Sequence, residues 1–113
     1  AVIDALLGAA GLGDIGTHFP DTDPQYAGIS SIALLEQTGR LLAEHSFTIA
    51  YIDIVLAADT PKVAPHADQM KHNLAQALQI DPACISIKGK TGEGLGFVGR
   101  KEGLACWVVC LVN

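Results

Sequence analysis

Three aspartates, Asp14, Asp21 and Asp23, fall within ten residues on the stretch Gly13-Asp14-Ile15-Gly16-Thr17-His18-Phe19-Pro20-Asp21-Thr22-Asp23-Pro24. Its glycines and prolines predict a loop outside regular structure. Carboxylates held on such a loop can accept hydrogen bonds from substrate hydroxyls or help to hold a cation. The competing reading makes each aspartate a turn-builder, because Asp beside Pro or Gly bonds to neighbouring backbone.

A second run, Gly89-Lys90-Thr91-Gly92-Glu93-Gly94-Leu95-Gly96-Phe97-Val98-Gly99-Arg100, mixes small residues with cations, a hydroxyl and a carboxylate. Six of the twelve glycines lie between Gly89 and Gly103, a density that lets backbone N–H groups converge on an anion. Thr91 suits a phosphoryl oxygen, and Lys90 would offset its charge. Glu93 suits one position on Mg²⁺, which is usually held by one or two carboxylates together with phosphates and water. The run is not a P-loop, and no long helix follows it as a dinucleotide fingerprint requires. Its structural alternative is a hairpin-like connection between two strands. Each loop carries a phenylalanine, Phe19 and Phe97, where a solvated loop has little use for one. Together the two loops predict one polar-anion site.

Charge supports an anion rather than a nucleic acid. The net charge is −5, and no basic stripe is visible. Five of the seven Lys and Arg (Lys62, Lys88, Lys90, Arg100 and Lys101) sit in or beside two loop regions. The histidines, His18, His45, His66 and His72, form no His-x-His or His-x3-His pair, so they predict no metal site of their own. Cys84, Cys106 and Cys110 are an odd number without a Cys-x-x-Cys. In a strand, Cys106 and Cys110 would stand about 13 Å apart, so buried, reduced thiols are expected.

The elements that must position these loops are legible from patterning. Ala1 to Leu12 is an alanine-rich helix without an N-cap, closed by Gly11 and Gly13. Ser30 or Ser31 caps a helix to about His45, with Ile32, Leu34, Leu35, Leu41 and Leu42 inward and His45 at its C-terminal cap. Phe47 to Ala57 is a strand long enough to be central. Pro65 opens a further helix with Met70, Leu74, Ala77 and Leu78 inward. Asp81-Pro82 breaks the chain before a strand from Cys84 to Lys88. Leu104 to Val112 is almost wholly apolar and predicts a strand buried on both sides or on a subunit contact. The fold class is α/β (α+β), helices on one face of a mixed β-sheet, in a single domain over residues 1–113. Half of the residues are hydrophobic, which predicts some apolar surface at a subunit interface. No segment is long enough for a membrane span and no signal peptide is visible, so the default is a soluble intracellular protein.

The run Asp4-Ala5-Leu6-Leu7-Gly8-Ala9-Ala10-Gly11-Leu12-Gly13-Asp14-Ile15-Gly16, followed by Phe19-Pro20-Asp21-Thr22-Asp23-Pro24, closely resembles the 2-C-methyl-D-erythritol 2,4-cyclodiphosphate synthases of the non-mevalonate isoprenoid pathway. So do Pro61-Lys62, Pro65-His66, Gln69-Met70, Lys88, Thr91, Glu93, Leu95-Gly96-Phe97, Gly99-Arg100 and Glu102-Gly103. The similarity runs from Ala1 to about Leu111. It implies a homotrimer with sites between subunits, in which 4-diphosphocytidyl-2-C-methyl-D-erythritol 2-phosphate is cyclised with release of CMP, in the bacterial cytoplasm or a plastid stroma. By the same resemblance, Asp14, Ile15, Gly16, Phe19, Pro20, Asp21, Thr22 and Asp23 contact the methylerythritol moiety, with Phe97 and Arg100 completing the site. Ala58, Asp59, Thr60, Pro61, Lys62, Val63 and Ala64 form the cytidine-nucleotide pocket with Lys90 and Thr91. Thr91 stabilises the transition state, and Glu93 binds magnesium, or manganese in its place. Arg100 and Glu102 would lie near the trimer axis.

The departures are equally specific. The resemblance implies zinc held by an Asp-x-His and by a histidine just before the position of Ala1, and none of these three is in the sequence. The expectation is therefore an N-terminally truncated chain that lacks the first strands, leaves a sheet edge exposed and turns over little. Lys90 and Gly92 stand where the family usually has threonines. Two alternatives stay open: a noncatalytic trimer that binds cytidine nucleotide or isoprenoid diphosphate, and a structural trimer without ligand.

Overall fold

A computed structural model describes all 113 residues. The first helix, α1 (Val2–Ala9), buries Ile3, Leu6 and Leu7 and stops three residues before the expected end at Leu12, with Gly11 in the expected capping role. Gly11, at φ +70°, takes the left-handed position after the cap, so that Gly11 N–H donates to Gly8 O and Leu12 N–H to Leu7 O. Gly13 lies beyond this cap. The stretch predicted to avoid regular structure instead holds a one-turn helix, α2 (Ile15–His18), and a single 3₁₀ turn at Pro24–Tyr26. Aspartates start both, because a carboxylate at an N-cap satisfies amides that the turn leaves free.

Helix α3 (Ser31–Glu44) is capped by Ser30, whose hydroxyl accepts from Ala33 N–H, and ends at His45. Its inward stripe is Leu35, Thr38 and Leu42. Thr38 is fully buried because its hydroxyl donates to Leu34 O within the helix. Ile32, predicted inward, is 41% exposed. A 3₁₀ turn at Ala64–His66 leads into α4 (Ala67–Leu78), which buries Ala75 and Leu78. No helix is long and apolar enough to cross a membrane.

Three strands form one mixed sheet: β1 (Ile49–Ala57), β2 (Ile85–Lys90) and β3 (Ala105–Val112), in the order β2-β1-β3. The predicted central strand is central, parallel to β2 and antiparallel to β3. β2 starts one residue later than expected and runs through Gly89 and Lys90, which therefore belong to a strand. The hairpin reading of the glycine-rich run fails, because β2 and β3 do not pair. Their connection crosses the end of β1 from one edge to the other and includes the short helix α5 (Gly96–Gly99).

Helices cover one sheet face. There α1 packs on β3, α4 packs on β2, and α3 rests against both helices. Ile52, Ile54 and Ile85 meet Leu6, Leu7, Leu35, Leu42 and Leu78 in the core. The opposite face is open. Trp107, Val109 and Leu111 are 60%, 73% and 61% exposed, and Tyr51 stands beside them. β3 is thus covered on one side only within this chain, which excludes burial on both sides within one chain and leaves the expected alternative, a subunit contact. Cys106 is likewise exposed; all three cysteines are free, and partial burial pushes the Cys110 thiol above its ordinary value. On the open face, Lys88 Nζ lies 2.8 and 3.0 Å from the two oxygens of Asp53.

Because Leu42 is 1% exposed at the α3–core contact, Leu42→Ala is expected to cost roughly 2–5 kcal/mol in denaturant unfolding. Ile32→Ala, at a half-exposed position on the same helix, should cost less than about 1 kcal/mol. Equal losses would contradict the packing described.

Candidate functional site

Parallel pairing brings the carboxyl ends of β1 and β2 to the same end of the sheet, where the segment Ala58–Ala64 and the glycine-rich crossover begin. Ala58 is buried, and its N–H donates to Lys90 O at 2.8 Å, so the pairing continues one residue past the strand. The Thr60–Pro61 peptide bond is cis. Val63 lies flat on Gly89: a Cβ there would stand 2.8 Å from the Cβ of Val63. Asp59 reaches across, Oδ1 accepting from Gly92 N–H and Oδ2 from Gly94 N–H. The two predicted segments, nucleotide pocket and glycine run, are therefore one continuous surface.

Within the crossover the backbone is pressed together. A Cβ on Gly92 would come within 2.6 Å of Gly99 N, and one on Gly99 would overlap Gly94. Glycine is required at both points for this close approach. Thr91 and Glu93 are exposed; Glu93 takes the left-handed conformation (φ +51°), and its N–H donates to Thr91 Oγ1 at 3.3 Å. Lys62 and Lys90 are exposed and make no ion pair, leaving their charges free for an anion. Phe97 is half-exposed and packs beside Gly103, and Arg100 makes a two-point pair with Glu102.

The aspartate loop is elsewhere. Its hydrogen bonds run to α1 and to itself, and none reaches the glycine-rich crossover. Asp4 accepts from Ile15 N–H at 2.8 Å, and the His18 Nε2 hydrogen-bonds to Leu12 O. Asp14 accepts from the N–H and the hydroxyl of Thr17, at 2.9 and 2.8 Å. Asp23 accepts from the N–H and side-chain amide of Gln25. Phe19 meets Tyr26 edge-on at 5.4 Å, closing a cleft of about 330 Å³ against Gln37, Arg40 and Leu41 of α3. Asp14 and Asp23 are turn-builders here, as the competing reading had it. Asp21 and Thr22 remain exposed with no side-chain partner. Ile15, Gly16 and Pro20 complete this loop. The single combined site expected from sequence is not formed within one chain.

Three acidic, histidine or cysteine side chains that could jointly hold a metal ion come together nowhere. A zinc site of three or four protein ligands does not fit these residues. A magnesium ion fits better, since one exposed carboxylate, Glu93, is what such an ion takes from protein when phosphates supply the rest. Sequence reasoning placed Asp59 in the nucleotide pocket without foreseeing its contact, and it missed His18. Asp59 bonds across 33 and 35 residues, a contact no local pattern encodes. His18 was passed over for lacking a histidine partner, whereas its partner is the Leu12 carbonyl just beyond the α1 cap.

The model of the YgbB family matches residues 1–113. The 2-C-methyl-D-erythritol 2,4-cyclodiphosphate synthase of Dehalococcoides mccartyi is 54% identical over 113 residues, which are all of this chain and 72% of that protein. The bifunctional enzyme IspD/IspF of Anaeromyxobacter dehalogenans is 52% identical over 112 residues, 99% of this chain and 29% of that one. Among solved structures, a 2C-methyl-D-erythritol-2,4-cyclodiphosphate synthase in its CDP-bound form superposes with a TM-score of 0.88 at 34% identity, covering 100% of this chain and 73% of the other. IspF of Plasmodium falciparum, in a CDP complex, gives 0.86 at 33% identity, over 99% and 67%.

The Thr17 hydroxyl, and after it the Thr17 N–H, hold the Asp14 carboxyl below its ordinary 3.8. A lowered folded-state value means that this cap contributes fully above the ordinary value and is lost as pH falls through the lowered one. A carboxyl-detected NMR titration should therefore place the Asp14 midpoint below 3.8, and Thr17→Ala should move it up. Identical midpoints in the two proteins would remove the Thr17 hydroxyl as the leading cause.

Proposed function

The chain belongs to the YgbB family, and from that membership we propose that it converts 4-diphosphocytidyl-2-C-methyl-D-erythritol 2-phosphate to 2-C-methyl-D-erythritol 2,4-cyclodiphosphate with release of CMP. The observation that carries the reading is the joining of Ala58–Ala64 to the glycine-rich crossover through Ala58 and Asp59. It sets two free lysines, a threonine hydroxyl and a carboxylate around one surface, the set a diphosphate ester of a nucleotide needs. An oxygen of the 2-phosphate attacks the β-phosphorus, the bond from that phosphorus to the bridging oxygen breaks, and CMP leaves with the electron pair on its phosphate.

The residues divide this work. Ala58, Asp59, Thr60, Pro61, Lys62, Val63 and Ala64 receive the cytidine end, with Lys62 and Lys90 facing its phosphates. Thr91 donates its hydroxyl to the phosphoryl oxygens as charge gathers there. Glu93 holds the divalent ion, magnesium or manganese, which neutralises diphosphate charge when bound. Asp14, Ile15, Gly16 and the Phe19–Asp23 run receive the methylerythritol part, with Phe97 and Arg100 at the margin. Asp14 and Asp23 then do so mainly through the loop shape that their caps fix. Zinc, which the family resemblance implies, finds no ligand group among these residues, and no step here runs through it.

The same geometry supports an assembly. Within one chain no hydrogen bond joins the aspartate loop to the nucleotide surface, which favours a site completed by a second copy. The open sheet face with Tyr51, Trp107, Val109 and Leu111 is apolar and contiguous enough to supply the contact. A homotrimer with sites between neighbours fits both features.

Calorimetry with Mg²⁺ present should give CMP binding at least about tenfold tighter than AMP or UMP, a preference of roughly 1.4 kcal/mol. Thr91→Val should lower kcat by about 10²–10³-fold, the usual cost of one transition-state donor. Equal binding of the three nucleotides by a sample that sediments as a trimer would overturn the proposal. CMP-selective binding without CMP release from the substrate would mark a nucleotide-binding protein instead.

A further inference from the structure

Asp59 stands where β1 has ended and the chain turns away from the sheet. Its carboxylate is the only hydrogen-bond partner of the Gly92 and Gly94 amides, which have no backbone acceptor. Two amides converging on one carboxylate form an anion nest. Sequence alone suggests that the glycines prepare such a nest for a phosphate; in the structure the anion that fills it is part of the protein.

The side chains placed on the chemistry alternate with these amides. Thr91 precedes Gly92, and Glu93 lies between Gly92 and Gly94. Neither is held by packing, since both are exposed, and Glu93 sits in a left-handed conformation that non-glycine residues seldom hold unaided. The remaining restraints on this corner are the Leu95 N–H to Gly92 O bond, the contacts of Gly99 with Gly92 and Gly94, and the 3.3 Å bond from Glu93 N–H to Thr91 Oγ1. The last ties Thr91 to Glu93 but fixes neither to the sheet.

We propose that Asp59 is a positioning residue, a resident anion that occupies the glycine nest and thereby fixes where the Thr91 hydroxyl and the Glu93 carboxylate point. One consequence is chemical. The loop amides are spent on Asp59, so an incoming diphosphate is met by side chains, Thr91, Lys62 and Lys90, and by the ion on Glu93. The effect on turnover rests on the synthase reading above; the clamp itself does not.

The test uses the whole chain with Asp59→Ala and Asp59→Asn. Asparagine keeps the shape and one acceptor but removes the charge and turns an NH₂ toward the second amide, so it should be intermediate. In amide NMR spectra the Gly92 and Gly94 signals should move strongly upfield in Asp59→Ala, while the unfolding midpoint stays close to wild type. Added formate should refill the nest and return both signals toward their wild-type positions, and chloride at equal ionic strength should not. Turnover should fall by about 10²-fold in Asp59→Ala, as misplacement of a reacting group does, with kcat affected more than KM, and formate should restore part of it. Gly92 and Gly94 signals unmoved by Asp59→Ala, or unmoved by formate in that variant, would overturn the clamp. Moved signals with unchanged kcat would overturn the positioning role. Absence of CMP release by the wild-type chain would instead overturn the synthase reading, and the amide signals would still decide the clamp.

Discussion

The pairing of β1 on both edges is the constraint on which the rest of the molecule depends. With a parallel partner on one side and an antiparallel partner on the other, the chain leaving β2 cannot turn back beside it. It must pass over the carboxyl end of β1 to reach the far edge. That passage is sterically tight, which accounts for glycines at 92 and 99, where any side chain would strike backbone. It also delivers Thr91 and Glu93 to the place where Ala58–Ala64 departs from β1. A crevice beyond the carboxyl ends of parallel strands is where open α/β sheets commonly take ligands. The meeting point of these segments is therefore fixed by sheet topology before any side chain is considered.

The two sheet faces have different tasks. One is closed by α1, α3 and α4 over an aliphatic core. The other carries large apolar side chains in water, interrupted by the Asp53–Lys88 pair. A pair of opposite charges on an apolar face is tolerable while half wet and also dry, provided it remains paired, so it restricts how a covering surface can approach. The aspartate loop is anchored to α1 by Asp4 and to the segment after α1 by His18, and none of its hydrogen bonds reaches the crossover.

Local signals in the sequence translated well into local structure. The Gly11 cap, the Ser30 cap, the His45 helix end and the central position of β1 were all legible, because each depends on a few adjacent residues or on strand length. The turn-forming role of Asp14 and Asp23 was open to two readings, and the backbone amides nearby decided it. Three features were not legible. β3 looks like a buried strand because its composition is apolar on both faces, and patterning cannot tell which face the chain's own helices cover. The hairpin alternative for the glycine run stayed open because pairing order is a property of the whole sheet. Asp59 was one residue in a predicted pocket, and nothing local distinguishes a carboxylate that faces a ligand from one that faces its own backbone.

The crossover also carries a consequence for how the chain acquires its shape. Joining β1 to β2 closes a segment of about thirty residues that contains α4, whereas joining β1 to β3 brings Ile49 against Val112. The entropy of closing a loop rises with its length, and distant pairings are repaid late. Asp59 cannot grip Gly92 and Gly94 until β2 is docked, and the crossover has no fixed span until β3 is docked as well. The grip of Asp59 on the glycine-rich end thus depends on two long-range pairings, and α1, which packs on β3, shares that dependence on the last strand of the chain.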